Sequence, residues 1–133
     1  MKQFTSKPLL VRYGETDQMG VVHHSNYLRY FEVARLEWLS ALGVSYASME
    51  KEGLIMPVID VKVTYKTPAL FDDSLIIYIF LSELPRVKII FFYEIKNQRD
   101  EIVCTGETTL AFLNAKTRKP VRCPEEFGAL FST

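Results

Sequence analysis

No stretch of this 133-residue sequence is apolar for longer than "LIIYIFL" at 75–81, far short of the roughly 20 residues a helix needs to span a bilayer. Net charge is lacking too: 16 Lys and Arg balance 16 Asp and Glu, which removes the electrostatic footprint of a nucleic-acid or membrane-surface protein. The densest basic stretch, "KTRKPVR" at 116–122, is short and interrupted and reads as a solvated tail. Cysteine is scarce, with Cys104 and Cys123 in unrelated contexts. They read as free thiols in a reducing cytosol, not as a disulfide framework. The opening "MKQFTSKPLL" has no apolar segment of signal-peptide type, so a cytoplasmic protein is expected. Also missing are a GxSxG elbow, a glycine-rich phosphate loop and any HxH, HExxH or cysteine cluster. Serine-elbow and phosphate-loop chemistry are therefore not indicated, and no metal site is expected.

What is present suits a globular domain: hydrophobic residues make up 48% and charged ones 24%. No repeat or linker interrupts the chain, so residues 1–133 are expected to form one domain. "LLVRY" (9–13) reads as a short strand. "NYLRYFEVARLEWLSALG" reads as a helix with Ser25 or Asn26 as N-cap and Gly43 just past its end. On a helical wheel Tyr27, Tyr30, Phe31, Ala34, Trp38, Ala41 and Leu42 fall within roughly 120°. Leu28, Val33, Leu36 and Leu39 lie among charges on the other side, where Glu32 and Glu37 are expected to face solvent or pair with Arg29 and Arg35. A helix apolar on two sides should be covered on more than one.

From residue 55 the period changes. In "IMPVIDVKVTYKTPA", Ile59, Val61, Val63 and Tyr65 alternate with Asp60, Lys62, Thr64 and Lys66. "SLIIYIFLSEL", "VKIIFFYEIKN" and "IVCTGETTLAFLN" follow as further strands, separated by short turns. Short connections require antiparallel pairing, so the expected class is α+β, one long helix on a strongly curved antiparallel sheet. The strand apolar on both faces should pack the helix on one side and another subunit on the other.

Between the first strand and the helix lies "RYGETDQMGVVHHSNY" (12–27), about twice the usual length of such a connection. Asp17, taken alone, reads as a turn or capping residue. His23 and His24 are adjacent, so in extended backbone they point to opposite sides and cannot by themselves form a metal site.

The loop resembles the active-site pattern of the hotdog-fold 4-hydroxybenzoyl-CoA thioesterase family, in its YbgC-like acyl-CoA branch. Val11-Arg12, Thr16-Asp17, Gly20-Val21-Val22-His23 and Tyr27 match without a gap. "YFEVARLEWL", "PVIDVKVTYKTPALFDD" and "GETTLAFLN" extend the resemblance over nearly the whole chain. It implies a hotdog fold, a sheet wrapped around one central helix, in a homodimer or homotetramer with the active site between subunits. It also implies hydrolysis of a small or medium acyl-CoA, or an aroyl-CoA, to the free acid and coenzyme A. No cofactor is implied, coenzyme A being part of the substrate.

Residue by residue, the resemblance makes Asp17 the nucleophile or general base and the backbone N–H of His24, at the helix start, the oxyanion donor. A carboxylate just ahead of a helix N-terminus sits where the dipole favours negative charge. Gly20 lets the backbone turn and leaves room for the thioester. Val22, His23 and Tyr27 would line the acyl pocket, with Tyr27 equally able to serve as core. Most of the family carries Tyr or Trp where this chain has His23-His24, which implies a more polar pocket. Arg86 and Lys88 in "LPRVKII" stand where the family binds the coenzyme A phosphates, although an ordinary charged turn reads equally well. Two other readings stay open. One is a hotdog dehydratase pairing His23 or His24 with Glu32, without that family's His-Phe-Pro context; the other is a non-catalytic acyl-CoA-binding protein. Acyl carrier protein is the alternative thiol carrier, for which no basic patch is located.

Overall fold

The computed structural model describes residues 2–132. Its central element is α1 (Ser25–Ala41), around which a six-stranded antiparallel sheet curves. The sheet order is β1 (Gln3–Thr5), β5 (Ser74–Phe80), β6 (Lys88–Lys96), β7 (Ile102–Ala111) and β4 (Val58–Tyr65), with β2 (Leu9–Leu10) also on β5. The four long strands are those expected, but β4 does not pair with β5. It crosses to the far edge and pairs with β7 from Val58↔Leu110 to Tyr65↔Cys104.

Alternation along the strands puts one apolar row of each against the helix. Leu75, Ile77 and Ile79 of β5, Ile89, Phe91, Tyr93 and Ile95 of β6, and Cys104 and Leu110 of β7 are all buried. Against them α1 lays Tyr27, Tyr30, Phe31, Ala34 and Trp38, each no more than 4% exposed. Burying each large side chain contributes about 1.5–3 kcal/mol. Trp38 is held by Phe4, Phe91 and Phe131 at centroid distances of 6.2, 6.0 and 5.2 Å. At the C-terminal end the helix stops where expected: Gly43 has φ +84° and its N–H bonds Ser40 O at 3.0 Å.

Several local expectations are corrected. The strand expected over 9–13 is only Leu9–Leu10 (β2), because residues Tyr13–Glu15 curl into a 3-10 turn. The Glu15 carboxylate folds back to accept the Arg12 N–H at 2.9 Å, which ends extended backbone. Ser25 and Asn26 are not the N-cap but lie inside the first turn. Arg35 is not a surface partner of Glu32 or Glu37. It is buried, and its Nη1 donates to Tyr93 Oη at 3.1 Å, which in turn shares a 2.6 Å bond with Thr108 Oγ1. Glu37 instead accepts the Lys7 N–H at 2.7 Å. Leu39 joins the core and Ala41 leaves it. Short elements not expected are α2 (Tyr46–Lys51), a ladder of β3 (Leu54–Ile55) with β8 (Leu113–Asn114), and α3 (Glu125–Ala129).

What the chain leaves uncovered is also specific. Leu28, Val33 and Leu36 of α1 are exposed, and so are Val58, Ile59, Val61 and Tyr65 on the edge strand β4. Both cysteines are free, and burial pushes the Cys104 thiol up to about 12. No helix among the described residues is long and apolar enough to cross a membrane.

Candidate active site

The acidic loop folds as a small hairpin hung from the helix. Thr16 and Val22 bridge antiparallel, the Asp17 N–H bonds Val21 O at 2.8 Å, and the Gly20 N–H bonds Asp17 O at 3.0 Å. Gly20 sits at φ +78°, so this turn needs a residue without a Cβ penalty. A Cβ there would meet nothing within 4 Å, so its role is conformational and not one of making room. Asp17 Oδ1 accepts the Met19 N–H at 2.8 Å, fixing the carboxylate by its own turn. Outside the hairpin, Val22 N–H bonds Ala69 O at 2.8 Å and Val21 bridges to Leu70.

Glu15 ties this hairpin to α1. Its carbonyl accepts His23 N–H at 2.9 Å and Asn26 Nδ2 at 3.0 Å, while its carboxylate accepts Tyr30 Oη at 3.0 Å and Arg12 Nη2 at 3.2 Å. Burial pushes the Glu15 carboxyl up, but the Arg12 N–H, the Tyr30 hydroxyl and the Arg12 guanidinium together hold it below its ordinary value. Burial, followed by the neighbouring Glu15 charge, pushes the Tyr30 hydroxyl up, so it remains a donor. No local sequence signal marks this clamp, since Glu15, Asn26 and Tyr30 meet only once the loop has closed on the helix.

At the start of α1 the backbone donors are used unevenly. His24 is already helical (φ −55°, ψ −28°). Asn26 N–H bonds His23 O at 3.0 Å, Tyr27 N–H bonds His24 O at 3.3 Å, and Ser25 N–H reaches His23 Nδ1 at 3.3 Å. Among the described residues the His24 N–H has no acceptor. Asp17, Val22, His24 and Tyr27 line one open pocket of about 280 Å³ together with Tyr65, Lys66, Thr67 and Pro68. The last four come from the end of β4 and the turn after it, and Lys66 adds a cationic residue to the lining. Tyr27 packs its ring 5.3 Å from Tyr65 and its hydroxyl accepts the Ala69 N–H at 3.4 Å, so it is both core and wall. The alternating run that ends at Tyr65-Lys66 was legible as a strand, but nothing in it showed that its end would reach the loop.

The remaining expected site residues stand elsewhere. Gly20 and His23 do not line the pocket. Arg86 and Lys88 border a separate hollow of about 400 Å³ with Leu84, Val87, Ile90 and Phe92. Lys88 lies seven residues along β6 from Ile95, which pairs through Cys104 to Tyr65 at the pocket; at strand spacing that is about 23 Å. Among the described residues no group of three or more His, Cys, Asp or Glu side chains could hold a metal ion.

A sheet curved around one helix, with a carboxylate loop closed on the N-terminus of that helix, is the architecture of the hotdog-fold thioester hydrolases. Comparison with known proteins agrees. The family model of the thioesterase-like superfamily matches residues 11–131. The acyl-CoA thioesterase YbgC of Haemophilus influenzae is 33% identical over 128 residues, covering 95% of this chain and 93% of that protein. YbgC of Helicobacter pylori is 32% identical over 130 residues, covering 92% and 96%. Among solved structures, the DHNA-CoA thioesterase from Staphylococcus aureus superposes with a TM-score of 0.92 at 37% identity, covering 99% of this chain and 90% of that one. The chain belongs to the thioesterase-like superfamily.

Proposed function

We propose that this protein is an acyl-CoA thioesterase in which Asp17 and the His24 N–H act on opposite sides of the thioester carbonyl. The observation that carries this reading is their convergence: a turn-fixed carboxylate and a helix-start N–H without a protein acceptor border the same pocket. In the general-base form, Asp17 takes a proton from water as the water oxygen bonds to the carbonyl carbon. The resulting oxyanion accepts from His24 N–H. Collapse breaks the C–S bond, and the thiolate leaves with the proton held on Asp17. In the nucleophilic form, an Asp17 oxygen attacks directly, the thiolate leaves, and water cleaves the mixed anhydride. Label in the Asp17 carboxylate after single turnover in ¹⁸O-water identifies the second, since water that attacks the aspartyl carbonyl of the anhydride leaves its oxygen there and the general-base route never does.

The pocket is open in a single chain, and the surfaces beside it ask for a cover. The edge strand β4 and the outer stripe of α1 both expose apolar side chains, and Tyr13, Leu70 and Phe71 by the loop do so as well. A second copy of this chain on that edge would close the acyl pocket. It would also bring its own Arg86 and Lys88 toward the pocket, from which those of the same chain stand about 23 Å away along the sheet. Small or medium acyl groups and aroyl groups both suit a pocket bounded by Tyr27, Tyr65 and Val22. The test is thiol release from a panel of acyl- and aroyl-CoA esters. Turnover on part of the panel supports the reading and names the substrate class; saturable binding without thiol release on any ester overturns it.

A further inference from the structure

The two adjacent histidines divide their labour, and the one that avoids the pocket has the more specific contacts. His24 adopts helical dihedrals and its side chain makes no capping bond. The residue before it is therefore the true boundary of the helix, where a side-chain acceptor normally takes the N–H of the second or third helical residue. His23 meets that description. Its Nδ1 takes the Ser25 N–H at 3.3 Å and lies 2.8 Å from Ser25 Oγ, while its carbonyl takes the Asn26 N–H at 3.0 Å. Its ring also lies against that of His24, with centroids 4.1 Å apart and planes tilted by 32°. A backbone N–H can only donate, so for Nδ1 to accept it the ring must carry its proton on Nε2.

We infer that His23 is a positioning residue: its imidazole caps α1 so that, of the first helical N–H groups, the one left without a protein acceptor is that of His24. The inference rests on the proposed role of the His24 N–H. An aromatic ring at this place could supply the contact with His24 but not the acceptor. Without the acceptor, the Ser25 N–H would become a second free donor beside the first, and the turn that aims the His24 peptide would lose its anchor. The site tolerates small errors of aim poorly, since misplacing a group by about 1 Å can cost on the order of 10²-fold in rate.

The atom responsible can be isolated. Asn at position 23 places an amide oxygen where Nδ1 stands, Gln places one near Nε2, and Phe keeps only the ring. The inference expects His23→Asn to keep wild-type kcat and KM on the best ester of the panel. His23→Gln and His23→Phe should lose about tenfold in kcat at unchanged KM, less than the 10²–10³ that follows outright loss of an oxyanion donor. Both should also melt lower by about 3–5 °C, as loss of a cap requires. Nitrogen NMR of the wild type should show an unprotonated Nδ1 and a protonated Nε2 on His23. A melting difference between Asn and Gln with equal kcat would make His23 a structural cap only and overturn the positioning role. So would equal activity losses for Asn and Gln, or a proton on Nδ1. If the wild type releases no thiol, the proposed function falls, and the tautomer and melting order still decide whether His23 caps the helix.

Discussion

One methyl group added at Gly106 should destabilise the fold and disturb the helix that carries the site. Gly106 sits in the middle of β7, paired with Tyr93 of β6 and Val63 of β4. A Cβ there would lie 2.6 Å from Phe31 Cζ, 2.7 Å from Phe31 Cε2 and 2.9 Å from Lys62 O. Ordinary carbon contacts are about 3.5–4.0 Å, so the ring would have to retreat by about 1 Å. It has no room to do so, being fully buried and stacked on Tyr93 at 4.2 Å and 15°. The Lys62 carbonyl belongs to β4 and cannot yield without straining its ladder with β7. Overpacking of this kind costs about 1–3 kcal/mol, and three simultaneous contacts place Gly106→Ala toward the upper end. For a chain of this length each kcal/mol lowers Tm by about 3–5 °C. Urea unfolding read by tryptophan fluorescence measures the loss, with Trp38 as reporter. Gly106→Ala combined with Phe31→Leu should recover at least about 1 kcal/mol relative to the sum of the single changes. A Gly106→Ala protein within about 0.5 kcal/mol of wild type would refute the packing argument.

Two further predictions concern the site. Glu15→Gln should destabilise the protein by about 1–3 kcal/mol at neutral pH by weakening the bonds from Arg12 and Tyr30. Because the folded Glu15 carboxyl titrates below its unfolded value, that difference should be full above about pH 4.5 and shrink as pH falls through the folded pKa; denaturant midpoints from pH 8 to 3 check it, and a difference independent of pH would contradict it. Arg86→Ala with Lys88→Ala should raise KM for CoA esters while sparing kcat on a short thioester lacking coenzyme A. At CoA-ester concentrations well below that variant's KM, mixed oligomers of it with Asp17→Asn should release thiol faster than either protein alone, and failure to complement would place both functions in one chain.

Much of this molecule was legible because its periodicities are strong. The helix from Tyr27 to Trp38 and strand β4 were announced by repeats of 3.6 and 2 residues, the other three long strands by apolar runs between short turns, and Gly43 marked the helix end. Arg35 was misplaced because a wheel scores charge, whereas the fold meets this guanidinium with Tyr93, far away in the chain. Strand β2 ended early because the Glu15 side chain competed for the Arg12 N–H, a local bond that hydrophobic pattern does not register. In the site, Asp17, His24, Val22 and Tyr27 could be named because the loop resembles the family's active-site pattern. Tyr65, Lys66 and the Glu15–Asn26–Tyr30 clamp could not, because each depends on where a distant segment arrives. Arg86 and Lys88 border a hollow apart from the pocket, and that separation follows from strand pairing, which local sequence does not register.

The most direct test of the catalytic assignment is kcat for thiol release by Asp17→Asn beside wild type, on the best ester found and with the melting temperature of both recorded. The account predicts a fall of about 10²–10⁴ in kcat with the fold retained, because the carboxylate is the proposed base or nucleophile at the carbonyl. Equal rates in the two proteins would contradict it and return the loop to a binding role.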